Sequence, residues 1–171
     1  PKDSIGWYNR GLELKAQKQY NGAENAFRKT IEHDFDHTEA WKNLGFVLFE
    51  QKKPEEAEKV FSEALKQKPY HEGASIGLAT LFQDQKRFKE SEKEYKLFLG
   101  NKSTSANAWT GLGVLYLIQD RLDEAEKAFR TALEHDSTHA NTWANLGLLL
   151  ENKKDFDEAE KAYNTALEHD P

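Results

Sequence analysis

The side chains with most capacity for chemistry in this chain are six histidines and 30 aspartates and glutamates. The histidines fall into two columns separated by multiples of 34 residues, with His33, His135 and His169 in one and His37, His71 and His139 in the other. His33 with His37, and His135 with His139, have the i,i+4 spacing by which one helix presents two metal ligands. Here the spacing crosses a turn between helical segments, so that geometry should not persist. The triplet Glu-His-Asp also recurs at 32–34, 134–136 and 168–170, which reads as duplication more than as selection for a ligand shell. A histidine near a helix C-terminus is favourable through the helix dipole alone. No metal and no other cofactor is expected. Glu24, Glu58, Glu92, Glu126 and Glu160 form another column, and Arg28, Lys96 and Arg130 lie four residues after three of them. Such i,i+4 pairs contribute about 0.2–0.5 kcal/mol each and read as a surface ladder that aids solubility, not as a catalytic dyad. No Gly-rich phosphate loop, G-x-S-x-G or H-E-x-x-H is present. With no Cys there is no disulfide, thiolate ligand or thiol nucleophile. The expectation is a protein that is not an enzyme.

What must position these columns is an internal repeat. Trp occurs at 7, 41, 109 and 143, and Ser75 stands where the 34-residue series would place a fifth. Blocks at 4–37, 38–71, 72–105, 106–139 and 140–171 align without insertion. One column is small (Gly11, Gly45, Ala79, Gly113, Gly147) and another aromatic (Phe27, Phe61, Tyr95, Phe129, Tyr163). Each block holds two helical stripes. In the second, Trp41, Leu44, Val47 and Leu48 form one, and Ala57, Phe61, Ala64 and Leu65 form the other. Pro54 suits the first turn of the second helix and Pro69 stops it. Glu55-Glu56, Asp123-Glu124 and Asp157-Glu158 open second helices, as the dipole favours. The small residues should let paired helices approach closely. The third block departs most, with Ser91 for Ala and Phe98 in a column of small side chains. Gly100 is expected to interrupt its second helix, leaving 101–105 as a loop. Compensated repacking and a local change of pitch or hinge both fit that block.

The pattern Trp-x2-Leu-Gly, then Ala-x3-Phe-x2-Ala, at a 34-residue period resembles the tetratricopeptide repeat and covers residues 4–171. Arg10 for Leu, and Phe35, Ser103 and Ser137 for the closing Pro, are departures from it. The resemblance implies an all-α fold, a right-handed superhelical solenoid of five antiparallel helix pairs, forming one array over residues 1–171. First helices would line a concave groove, with second helices outside. The chain lacks an initiator Met and stops at Pro171 with no solvating helix, so a longer parent chain is expected. Otherwise its last pair docks on something, through Ala159, Tyr163, Ala166 and Leu167.

Carried onto this chain, the resemblance gives the candidate groove residues as Tyr8, Asn9, Lys42, Asn43, Phe46, Phe49, Ile76, Val114, Leu117, Ile118, Asn145 and Leu148. Equivalent positions also hold Lys15, Thr80 and Asp84. Family members that clamp a C-terminal carboxylate use a Lys/Asn, Asn, Lys/Arg set across three blocks. Starting from Lys42, this chain has Phe46, Gly77, Asn107 and Gly111 instead, which rejects an acidic-tail partner. Asn9, Asn43 and Asn145 are similar to the Asn ladder of O-linked N-acetylglucosamine transferases, but Gly77 and Gly111 break that column. Ordinary family consensus at an exposed helical position is the preferred explanation of that column. The expected function is a non-catalytic scaffold whose groove takes an extended peptide or an amphipathic helix of another protein through apolar anchors. The alternative is a structural spacer that self-associates through its ends, with Tyr163 and Leu167 carrying the contact. A net charge of −6 with no basic aromatic face argues against nucleic acid as partner. Nothing approaches 18 consecutive apolar residues, so no membrane partner is expected.

Overall fold

A computed structural model describes residues 3–170 and contains ten helices with, among the described residues, no strand. They are α1 Ser4–Ala16, α2 Tyr20–His33, α3 Thr38–Glu50, α4 Pro54–Gln67, α5 Glu72–Asp84, α6 Phe88–Asn101, α7 Ala106–Ile118, α8 Leu122–His135, α9 Ala140–Asn152 and α10 Phe156–His169. The fold is an all-α helical repeat. The chain divides into two compact units, Pro1–Arg87 with α1–α5 and Phe88–Pro171 with α6–α10. Pro171, read as a closing residue, lies outside the described residues.

Local chemistry repeats with the period. Pro54 occupies the first turn of α4, and acidic pairs open α4, α8 and α10. Each turn from a first to a second helix has a left-handed residue in one column: Lys18, Lys52, Lys86, Asp120 and Lys154, with φ of 57–64°. The amide after each of them returns to a carbonyl in the last turn of the helix, as in Gln19 N to Leu14 O at 2.8 Å and Lys53 N to Leu48 O at 2.9 Å. The three tryptophans of α3, α7 and α9 staple the preceding turn. Trp41, Trp109 and Trp143 donate their indole N–H to the carbonyls of Phe35, Ser103 and Ser137 at 2.7–2.8 Å.

The second histidine column corrects the helix-end reading. His33, His135 and His169 do lie in last turns. His37 and His71 instead cap helix N-termini, in a column with Asp3 and Ser105. Their Nδ1 atoms accept from the Ala40 and Ala74 amides at 3.3 and 3.2 Å, as Asp3 accepts from Gly6 at 2.7 Å and Ser105 from Ala108 at 3.2 Å. His139 occupies the fifth place, its Nδ1 2.6 Å from Thr142 Oγ1.

Close approach explains the small column. A Cβ added at Gly45 would sit 1.7 Å from the Phe61 ring, and at Gly113 2.5 Å from Phe129. The Phe61 ring also reaches the following first helix, since a Cβ at Gly77 would lie 2.5 Å from it. In the first unit these rings belong to a core with Phe27, Trp41, Leu44, Val47 and Leu48. In the second, Phe98, Leu112, Leu115, Phe129 and Leu149 are buried. Two expectations need correction. Gly100 does not interrupt α6, which runs to Asn101, whose side chain donates back to Leu97 O at 3.0 Å. Ala159 does not face outward but is buried, 3% exposed, because α10 packs on α9.

Candidate partner-binding groove

Three first helices of the first unit, α1, α3 and α5, surround a pocket of about 260 Å³ with Phe61 of α4 at its base. Its position follows from the glycines: Gly45 and Gly77 leave the Phe61 ring uncovered by side chains of their own helices. Phe46, Phe49 and Ile76 wall it, and Phe46 is 47% exposed despite its size. Five sequence-derived candidates therefore meet here: Lys42, Asn43, Phe46, Phe49 and Ile76. Tyr8 borders them through Asn43, and Asn9 is exposed on α1 without lining the pocket.

The polar edge is specific. Lys15 Nζ donates to Asn43 Oδ1 at 2.7 Å and lies 4.4 Å from the centre of the Phe46 ring. Asn43 Nδ2 donates to Glu39 O at 2.8 Å and to Tyr8 OH at 3.3 Å. Lys42 pairs with Glu39 at 2.8 Å. Burial and then the charge of Lys42 push the Lys15 pKa down, while burial pushes the Asp84 carboxyl up. Lys15, Thr80 and Asp84 also line the pocket, at block positions equivalent to those of the apolar anchors, which is the signal the sequence holds for them. Phe61 serves both the core and the pocket floor, and its sequence position signals only the first.

In the second unit, Val114 and Leu117 of α7 are half-buried, whereas Ile118 of α7 and Leu148 of α9 are 54% and 44% exposed. Asn145 Nδ2 donates to Asn141 O at 2.8 Å, the same i−4 bond that Asn43 makes. Both asparagines thus spend an amide N–H on their own helix, and the Asn43 Oδ1 is taken by Lys15. The steric demand of Phe61 and of Tyr95, 2.5 Å from a Cβ at Gly111, accounts for the two glycines that break it. On α10, Tyr163 is half-buried over Gly147 and donates to Glu151 at 3.1 Å. Leu167 is 62% exposed, and Phe156, not anticipated from sequence, 63%.

The glutamate column does more than decorate a surface. Glu24 accepts from Arg28 at 2.9 Å and from Lys53 at 3.3 Å, while Glu58 pairs with Arg87 at 2.7 Å. Glu92 accepts from Arg121 and Lys96 at 2.9 and 2.6 Å, and Glu126 from Arg130 and Lys153 at 2.7 Å each. Within each unit, the links from Glu24, Glu92 and Glu126 tie a second helix to the turn that opens the next second helix. Arg121, ahead of burial's opposing effect, holds the Glu92 pKa down at about 2. No group of three or more metal-ligating side chains comes together among the described residues, and no helix there is long and apolar enough to cross a membrane.

One family model for the tetratricopeptide repeat matches residues 14–69 and 48–115, and a second matches 104–170. No curated protein matches the chain in sequence. Among solved structures, a thermophilic TPR protein from Thermus thermophilus is similar at 18% identity and a TM-score of 0.80, covering 98% of this chain and 92% of that one. MamA from Desulfovibrio magneticus RS-1 is similar at 19% identity and 0.64, over 99% and 96% of the two chains. YrrB, a TPR protein with an unusual peptide-binding site, is similar at 21% identity and 0.60, over 99% and 87%.

Proposed function

The chain belongs to the tetratricopeptide repeat family, whose members are generally non-catalytic protein-interaction scaffolds, and from this we propose that the α1/α3/α5 pocket receives a partner protein's apolar side chain. The partner presents that side chain from an extended peptide or an amphipathic helix. The observation that carries the reading is the half-exposed Phe46 at the wall of a pocket floored by Phe61. Burying one large apolar side chain there contributes about 1.5–3 kcal/mol, enough to anchor a segment whose other contacts are polar. Asn43 and Lys15 then supply hydrogen-bonding groups beside the anchor.

The test uses peptides selected from a random phage-displayed library, with affinity read by fluorescence anisotropy. Phe46→Ala should weaken the best binder by more than ~1 kcal/mol at unchanged helix content. Affinity equal to that of the unaltered protein would sink the proposal. Leu117→Ala, made separately, reports whether the α7 and α9 surface also contributes.

A second reading is favoured by α10, where Phe156, Tyr163 and Leu167 lie on one stripe and two of them are over 60% exposed. It makes the last helix pair a self-association surface. Light scattering across a wide concentration range should then show association that Leu167→Glu abolishes; a monomer throughout removes this reading.

A further inference from the structure

The pocket holds two charges of opposite sign, neither in a salt bridge among the described residues, although Glu39 and Glu50 act on Lys15 at longer range. Lys15, on α1, is half-buried, and its partners, the Asn43 amide oxygen and the face of Phe46, are both neutral. Its nearest fellow cation, Lys42, is already held by Glu39. On the opposite wall Asp84, the last residue of α5, lines the pocket and makes no ion pair or hydrogen bond among the described residues. By contrast Glu24 and Glu58 of the same unit are matched to Arg28, Lys53 and Arg87. The apolar wall of Phe46, Phe49 and Ile76 lies between the two unmatched charges. Lys15 is half-buried and its pKa is pushed down, whereas Asp84 is exposed at the pocket rim, where partial burial still pushes its carboxyl up.

Resting on the peptide-binding reading above, we infer that this pocket selects an internal segment of a partner protein in which an apolar residue stands between an acidic and a basic one. The segment's carboxylate meets Lys15 and its cation meets Asp84, so the pair of charges fixes which way the segment lies. Neighbouring helices pack about 8–10 Å apart and an extended chain advances about 3.3 Å per residue. After allowance for the reach of both side chains, acid and base stand about three to five residues apart. A chain-terminal carboxylate is the poorer match, because it would meet Lys15 alone and bring no cation to Asp84.

The same phage library is selected against the full chain, Lys15→Glu and Asp84→Lys. The unaltered protein should enrich acid–apolar–base sequences. Lys15→Glu should replace the acidic preference with a basic one, and Asp84→Lys should do the converse at the other flank. The best peptide should lose about three- to tenfold in affinity to Lys15→Met, which keeps the aliphatic stem over Phe46, and to Asp84→Asn. Enriched peptides that ignore charge but still depend on Phe46 overturn this inference and leave the anchor reading standing. Peptides indifferent to Phe46, or no enrichment at all, overturn both. The Asp84 variants decide the matter alone if Lys15→Glu lowers the helical signal.

Discussion

Acidification should loosen the start of α5 through one buried ring. His71 Nδ1 accepts the Ala74 amide at 3.2 Å, which requires a neutral imidazole with its proton on Nε2. The ring is 3% exposed, edge-on to Phe35 and Trp41 at 6.2 and 6.1 Å, and its Nε2 has no partner. Burial first, and then the Lys68 charge, lower its pKa from 6.5, with Asp36 and the backbone of His71 and Phe35 opposing. The unfolded chain therefore takes up a proton below pH 6.5 that the folded chain resists. Stability is fully present above that pH, declines as pH falls beneath it, and levels off at the folded pKa. One proton sets the ceiling, about 1.4 kcal/mol lost between pH 7.5 and 5.5 if the ring stays neutral. The cap bond alone contributes about 0.5–2 kcal/mol, so the two scales agree. His71→Asn keeps a capping oxygen and removes the titration. Urea unfolding followed by far-UV circular dichroism should show about 1 kcal/mol lost by the unaltered protein over this interval and little by the variant. Comparing the two also cancels Asp84 and Glu94, whose carboxyls burial raises. Equal losses in both proteins, or Ala74 amide exchange that ignores pH beyond its intrinsic rate, would refute the reasoning.

Two glycines should respond oppositely to alanine. Gly45→Ala puts a Cβ 1.7 Å from Phe61 and should destabilise by about 1–3 kcal/mol. Gly100→Ala, with nothing within 4 Å and inside α6, should leave stability equal or raise it by up to about 1 kcal/mol; thermal unfolding reads both. Glu92 is held ionised chiefly by Arg121, so the stability it contributes is present above pH 4.5 and lost as pH falls toward about 2. Glu92→Gln should flatten the melting temperature between pH 5 and 3 relative to the unaltered protein, and parallel curves would remove this role for the link.

The fold was legible because its signals are local and repeated. Trp41, Gly45, Ala57 and Phe61 recur at one period, and each recurrence meets the same packing demand. Helix boundaries were legible wherever Pro or acidic pairs marked them, and failed at Gly100, where a glycine one residue from the helix end is tolerated without a break. The histidine columns misled because helical spacing cannot tell a last turn from an N-cap four residues later. The glutamate column was half legible: the i,i+4 partner is visible in sequence, whereas Lys53 lies 29 residues from Glu24 and meets it only through tertiary packing. In the pocket, Phe46, Phe49 and Ile76 announced themselves as large apolar residues at groove positions. Lys15 and Asp84 did not, since a lone charge at a helical surface position looks solvated until its partners, or their absence, are seen.

The most direct test of the central claim is a heteronuclear NMR titration of the full chain with the best selected peptide. The account predicts the largest shift changes at Phe46, Phe49, Ile76 and Gly77, with Lys15 and Asp84 moving at the flanks. Changes confined to α10 around Phe156 and Leu167, or to the second helices α2 and α4 away from Phe61, would contradict it.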